Sequence, residues 1–504
     1  MTKVKNLPLW CLSFFVLLKL ALPFILINPV YELHRDEYLH LDQARHMAWG
    51  FQSVPPLSSV FAYLIMLLGG GVFWVRLISA SIGAATLIFT WKIVEELNGG
   101  LYARVLSAVA LLACAIARLD LLFQPNAFDI LSWTAVYFFL LKYLHTGKSW
   151  FIYVVALAFA IGFLNKYSIV FLLAGLTPAL AISSQRVIFR SKHLYYGALM
   201  ALLIVTPNLI WQYQNDFPVV RHMKELSATQ LDKINRFDFL KEQLLYYIGI
   251  LFILVAAFVG IIRHRPFRNH SWVALSFMFT LALFTWFRSK GYYAAGLYPV
   301  LVAFGSVYLG LILDNGWKRY LKIVVLLLPV LVYLLTFRFA YPVLKPQQIV
   351  AKSEIFKKVG LLRWEDGLQH DLPQDFADML GWKELAHQVD SIYRSFPDPE
   401  HTLVICNNYG EAGAINYYSD FKQINAVSFS TDYVNWFQLD KKIKHIIAVK
   451  EKENDKDIPP GFVKAGEVRN KFAREYGTVI YVLRETDLDY NKILRERIEK
   501  IRNK

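Results

Sequence analysis

Cysteine is nearly absent from this chain. Three cysteines in 504 residues exclude a disulfide framework. Cys11 and Cys114 lie in apolar runs, and Cys406 stands alone in the charged final third, so no bridge forms within that part. Charge is also scarce: Asp, Glu, Lys and Arg make up 18% of residues. Long charge-poor runs fill the first two thirds, while the last third is charged throughout. No internal repeat and no low-complexity linker is present. The apolar run 9–28 has a basic start, but it is long and no A-x-A cleavage site follows, so it is expected to be a span and not a removable signal peptide.

What is abundant is apolar residue. Hydrophobic types make up 56%, against about 45–50% in ordinary soluble domains. Runs of about 20 apolar residues are long enough to cross a bilayer as helix. Eleven such runs occur, at 9–28, 72–97, 101–119, 124–143, 150–164, 168–184, 194–212, 244–262, 271–287, 291–313 and 320–339. A shorter stretch, 57–69, starts after Pro55-Pro56 and ends at Gly69-Gly70-Gly71. It reads as a helix at the membrane interface, or as a twelfth span. The fold class expected is a polytopic α-helical membrane protein with about eleven spans and a C-terminal α/β domain. The division falls at 1–344 and 345–504, with a first outer loop at 29–71.

The net charge of +15 fits cytoplasmic loops and lipid headgroups better than nucleic acid. Lys3/Lys5, Lys142/Lys148, Arg186/Arg190/Lys192, Arg263/Arg265/Arg268 and Lys318/Arg319 all fall on one side, taken as the cytoplasm. The expected location is therefore the inner (plasma) membrane, with residues 345–504 outside the cytoplasm. In that part Thr402–Cys406, Ile443–Val449 and Thr478–Leu483 read as strands, and 380–395 and 489–502 as helices.

Ionisable groups at helix ends on the outer side need solvent, a partner or a use. The first outer loop, Tyr31 to His46, holds four acids and three histidines. One reading is a solvated loop with Asp36 near a helix N-cap and Asp42 on a wet face. The sharper reading makes Asp36 a general base, with Glu37 beside it and His34 as a further site candidate. Histidine with carboxylate also permits a divalent metal, although the spacing matches no fixed metal motif. The second outer turn offers two further site candidates: Asp120, which also reads as a cap, and Asp129, about one turn inside a span and in need of a partner. Later turns bring cations: Lys166 in Asn165-Lys166-Tyr167-Ser168, and Arg288 and Lys290 before Tyr292 and Tyr293. Acids in the first two outer turns and cations in later ones suit a reaction between a lipid phosphate and a hydroxyl acceptor.

These residues carry a resemblance. The chain resembles the GT-C-fold membrane glycosyltransferases of the protein O-mannosyltransferase and lipid A aminoarabinose transferase superfamily. It is most similar to a bacterial branch marked by His34-Arg35-Asp36-Glu37, Val54-Pro55-Pro56-Leu57, Asn165-Lys166-Tyr167-Ser168 and Gly296-Leu297-Tyr298-Pro299. An Arg76…Gly83 helix resembles the family's "RL…G" span, and Lys290-Gly291-Tyr292-Tyr293 opens its Tyr-Pro motif. The resemblance covers about residues 30–310 and extends loosely to Asn408–Ala412. It implies a sugar donor on polyprenyl phosphate, attack with inversion, and transfer to a hydroxyl of a lipid, glycan or protein of the cell envelope. It places Asp36 at the catalytic centre and the donor phosphate at Lys166, Arg288 and Lys290. One departure is clear: Ser53-Val54 stands where aminoarabinose transferases carry an acid and a lysine. A transporter or flippase of lipid-linked sugar is the alternative. Such proteins place charges at the midplane of two related halves, whereas here the charges gather at one face.

Overall fold

A backbone in hydrocarbon must satisfy its polar groups internally, which leaves helices for runs this apolar. The computed structural model describes residues 6–229, 235–451, 459–486 and 488–502. Lys3 and Lys5, counted above in the basic tail, lie outside them. Among the described residues, six helices are long and apolar enough to span: Leu7–Leu26, Val72–Glu96, Pro125–Thr146, Lys192–Gln214, Gly291–Ile312 and Gly316–Ala340. Two bent pairs, Ile169–Ile182 with Ser184–Arg190 and Arg236–Tyr246 with Ile248–Arg263, raise this to eight. The expected runs 101–119, 150–164 and 271–287 are shorter helices, Leu101–Leu112, Trp150–Phe163 and Ser271–Trp286. The stretch 57–69 gives the short apolar helix Leu57–Leu67, closed by Gly69 and Gly70 at positive φ.

The chain divides into two compact units. The first is Met1–Leu26, Trp49–Ser58 and Phe73–Tyr341; the second is Ile27–Ala48, Ser59–Val72 and Pro342–Lys504. In the first unit Ile169–Ile182 packs on Ser271–Trp286, and Leu251–Arg263 on Tyr298–Ile312. Small residues let these backbones approach. A Cβ on Gly175 would lie 2.0 Å from Thr280 Oγ1, and one on Gly305 1.9 Å from the Ile253 carbonyl oxygen.

The second unit is built on a five-stranded sheet: β1 Thr402–Cys406, β2 Ala426–Ser428, β3 His445–Lys450, β4 Val463–Glu467 and β5 Val479–Leu483. Their order is β2-β1-β3-β5-β4. β1 runs parallel to β2 and β3, while β5 is antiparallel to β3 and β4. The three expected strands are β1, β3 and β5, and the two expected helices are Trp382–Arg394 and Tyr490–Arg502. β2 and β4 are additions that the sequence did not announce. β2 is three residues long, and β4 carries Lys464, Gly466 and Glu467 on an exposed edge.

Most of the first outer loop, residues 29–48 and 59–71, belongs to this unit. Its helix Arg35–Asp42 lies on Tyr409–Tyr418. Gly413 permits the approach, since a Cβ there would sit 2.8 Å from Tyr38 Cβ. Tyr38 donates to the Tyr418 hydroxyl at 3.2 Å and packs edge-on against Trp382. Gln43 Nε2 donates to Asp432 at 3.1 Å. Asp42 is a correction: it is 5% exposed and accepts from Asn416 Nδ2 at 2.6 Å, not turned to solvent.

Candidate functional site

In the second unit, the helix Arg35–Asp42 begins with His34 as its N-cap, which puts Asp36 near the cap as the sequence suggested. The Asp36 N–H donates to His34 Nδ1 at 3.2 Å, and the His34 N–H donates to Glu37 Oε2 at 2.7 Å. This reciprocal cap satisfies two N–H groups that a helix start leaves open. Glu37 is fully buried in that role. The His34 Nε2 lies 3.8 Å from Asp378 Oδ2, an acid that Arg474 also meets at 3.2 Å.

Asp36 points elsewhere. Its Oδ1 accepts from the Tyr409 hydroxyl at 2.7 Å, and its side chain keeps 41% of its surface exposed. Burial by surrounding atoms works against its charge. His34, the Tyr409 hydroxyl, Arg35 and His40 outweigh that and hold the carboxyl below its ordinary value. A partly exposed carboxylate that stays ionised is a competent proton acceptor.

Tyr409 was missed by sequence reasoning. It opens the helix Tyr409–Tyr418, which Asn408 caps by accepting from Gly410 N–H and Glu411 N–H at 2.8 and 3.1 Å. Asn408-Tyr409-Gly410-Glu411 is an N-cap signature, and that was the available signal. Among the described residues, Glu411, Glu451 and Glu475 bring ligating oxygens within 4.8 Å of one another. Asn408 Nδ2 donates to Glu451 and Glu475 at 2.8 and 3.3 Å. Burial and the neighbouring acids push Glu411 up.

In the first unit, the turn Asn165–Ser168 is tied to the start of the helix Pro125–Thr146 by three bonds in series. Asn165 Nδ2 donates to the Pro125 carbonyl at 2.8 Å, Lys166 Nζ to Asn126 Oδ1 at 2.8 Å, and Ser168 Oγ to Asp129 Oδ2 at 2.9 Å. Asp129, 4% exposed, also accepts from Trp133 Nε1 at 2.8 Å. The partner that its depth demanded is therefore the turn carrying Lys166. Tyr167 extends the tie, donating to Asn208 Oδ1 at 3.1 Å and accepting from Gln212 Nε2 at 2.8 Å.

Lys166 lies over two rings, 5.2 Å from the centre of Tyr292 and 4.4 Å from that of Tyr293. Thus three of the expected phosphate-site residues meet. Arg288 and Lys290 occupy the same turn, 288–293, half-buried, with Arg288 at φ 52°. A left-handed arginine is uncommon and marks a constrained turn. That turn is held by Glu242 and Gln243, which sequence reasoning missed. Glu242 Oε2 accepts from Gly291 N–H at 3.0 Å, and Gln243 Nε2 donates to the Gly291 carbonyl at 2.9 Å.

Asp120 stands at the C-cap position of the short helix Ala115–Leu119, but its side chain is used elsewhere. It is 1% exposed and forms an ion pair with Lys19 at 2.8 Å, itself 3% exposed within Leu7–Leu26. Gly83 makes room for the pair: a Cβ there would stand 2.5 Å from Asp120 Oδ2 and 2.6 Å from Lys19 Cε. The signal for Lys19 was present, since a lysine in mid-span needs a partner.

Comparison with known proteins places this architecture. Residues 53–211 match the dolichyl-phosphate-mannose-protein mannosyltransferase family. The lipid A galacturonosyltransferase RgtD of Rhizobium johnstonii is 24% identical over 204 residues, which is 37% of this chain and 41% of that protein. The match thus spans about two fifths of that relative's length. Two solved structures of ArnT from Cupriavidus metallidurans superpose over 93% of this chain and 97% of theirs. The apo form gives a TM-score of 0.65 at 14% identity, and the form bound to undecaprenyl phosphate 0.61 at 13%. The archaeal oligosaccharyltransferase AglB from Archaeoglobus fulgidus, in complex with an inhibitory peptide and a dolichol-phosphate, gives 0.52 at 10% identity over 89% of this chain and 70% of its own.

Proposed function

We propose that this chain, a multi-pass GT-C-fold member of the protein mannosyltransferase and ArnT superfamily, moves a sugar from a polyprenyl-phosphate donor to a hydroxyl acceptor on the outer face of the inner membrane. The observation that carries this reading is Asp36: an ionised, partly exposed carboxylate fixed at the head of a loop helix. The acceptor oxygen forms its bond to the anomeric carbon as its proton passes to Asp36. The bond from that carbon to the phosphate oxygen breaks with inversion, and its electron pair leaves on the phosphate. Lys166 bonded to Asn126, with Arg288 and Lys290 from the turn before Tyr292 and Tyr293, would hold the dianion that results.

Solved structures of similar fold, one bound to undecaprenyl phosphate and one in complex with a dolichol-phosphate, support this donor class, and the lipid A in RgtD's name supports an acceptor of the cell envelope. Purified protein mixed with a cell-envelope extract is expected to consume one polyprenyl-phosphate sugar and release polyprenyl phosphate. Lys166→Met is expected to raise the donor KM by about tenfold or more, as loss of one charge-assisted contact does. No consumption of any polyprenyl-phosphate sugar, with the protein folded, would sink the reading. An unchanged donor KM in Lys166→Met would remove only the phosphate assignment.

The reading assigns residues 1–344 to the membrane domain and 345–504, with the outer loop 29–71, to the extracytoplasmic side. It is supported by the basic residues that gather in the opposite loops. A periplasm-dependent reporter fused after Lys504 is expected to be active. One active only in the cytoplasm would reject the topology.

A further inference from the structure

We propose that Tyr409 is the positioning residue for the catalytic base, a part of the transfer machinery supplied by the C-terminal segment of the chain. The inference rests on the reading of Asp36 as that base. Tyr409 donates to Asp36 Oδ1 at 2.7 Å, the length of a charge-assisted O–H···O⁻ bond. A carboxylate has two equivalent oxygens and turns about its last torsion with little preference. Bonding one oxygen fixes the plane of the group and thereby where the other can receive a proton.

The phenol is itself fixed from several sides. It stands on the first residue of a helix whose start is closed by Asn408 and Glu411. The Arg35 guanidinium lies 4.4 Å over its ring. Gly410 leaves Arg35 the space to do so, since a Cβ there would meet Arg35 Cγ at 2.6 Å and Trp382 Cη2 at 3.1 Å. Arg35 precedes Asp36 in the chain, so one dipeptide grips the tyrosine by its face and by its hydroxyl. Burial and the Asp36 charge push the phenol well above its ordinary value. Tyr409 therefore stays protonated as a fixed donor and does not compete with Asp36 for the acceptor's proton. Orientation of this kind matters because a small misplacement of a reacting group can lower the rate by about a hundredfold.

Tyr409→Phe tests the idea, because it keeps the ring and the Arg35 contact and removes only the hydroxyl. The expected result in the full chain is a kcat lower by about tenfold or more, with donor KM and melting temperature close to wild type. Added to Asp36→Asn, it is expected to lower any remaining rate no further, because the two residues act as a unit. An unchanged kcat would overturn the proposal. So would a fall that tracks an equal loss of thermal stability, or a further fall in the double variant. Where Asp36→Asn leaves no measurable rate, the comparison of kcat with KM and melting temperature decides alone. The two readings fail separately. Near-normal turnover in Asp36→Asn removes the base, whereas normal turnover in Tyr409→Phe beside an inactive Asp36→Asn removes only the positioning role.

Discussion

Asp36→Asn is expected to lower sugar transfer by at least about a hundredfold, the low end of what a positioned proton acceptor contributes. The amide keeps the size of the carboxylate and can still accept from Tyr409 through its carbonyl oxygen. What is lost is the basic oxygen that takes the acceptor's proton. Folding and donor binding should survive, because the cap of the loop helix is made by His34 and Glu37 and not by the Asp36 side chain. Glu37→Gln serves as the contrast. It weakens a buried acceptor of a backbone N–H, so its effect should appear in stability before rate. If Asp36→Asn kept near-normal turnover while Asp129→Asn or Glu37→Gln abolished it, the base would have to be reassigned. If all three kept their activity, a carboxylate mechanism would be wrong for this chain.

The second large effect needs no assumption about chemistry. Lys19→Met removes the partner of Asp120 and leaves a buried carboxylate uncompensated. Breaking such a pair from one side is destabilising by about 3–5 kcal/mol. The expected measurement is a strong fall in melting temperature and in folded yield from membranes. Lys19→Met with Asp120→Leu should recover much of it, because replacing both charges removes the stranded ion as well as the pair. Gly83→Ala should resemble Lys19→Met in direction, since its methyl group would displace both side chains. A Lys19→Met protein as stable as wild type would show that the pair contributes nothing.

How far the sequence could be read depended on how far away each partner lay. The turn Asn165–Ser168 was legible as a cation site because a lysine between apolar runs stands out by itself. Its attachment to Pro125, Asn126 and Asp129 was not, because those bonds reach some 40 residues back along the chain. Asp129 shows the intermediate case: its depth announced that a partner was needed, without saying which. Asp42 was misread for the same reason. In its own segment it looks like one polar residue on an amphipathic helix, and the Asn416 that buries it lies 374 residues further on. Tyr409 lay in the Asn408–Ala412 stretch to which the resemblance loosely extends, but an N-cap signature announces a helix start and not a partner for Asp36, 373 residues back. The strands followed the same rule. β1, β3 and β5 announced themselves by β-branched runs, while β2 is too short and β4 too polar to do so. Lys19 is the one omission that local reasoning should have avoided.

The bond from Tyr409 to Asp36 closes a loop of 373 residues within one folded unit. Translation delivers the chain from its N-terminus at about 5–20 residues per second. The proposed base is thus synthesised roughly 20–75 seconds before the residue that orients it. Through that interval the outer loop lacks the surface on which Tyr38, Asp42 and Gln43 come to rest. The membrane helices can insert in order while the loop waits. A ribosome that stops early therefore leaves a membrane-bound chain in which the proposed base has no Tyr409 to align it.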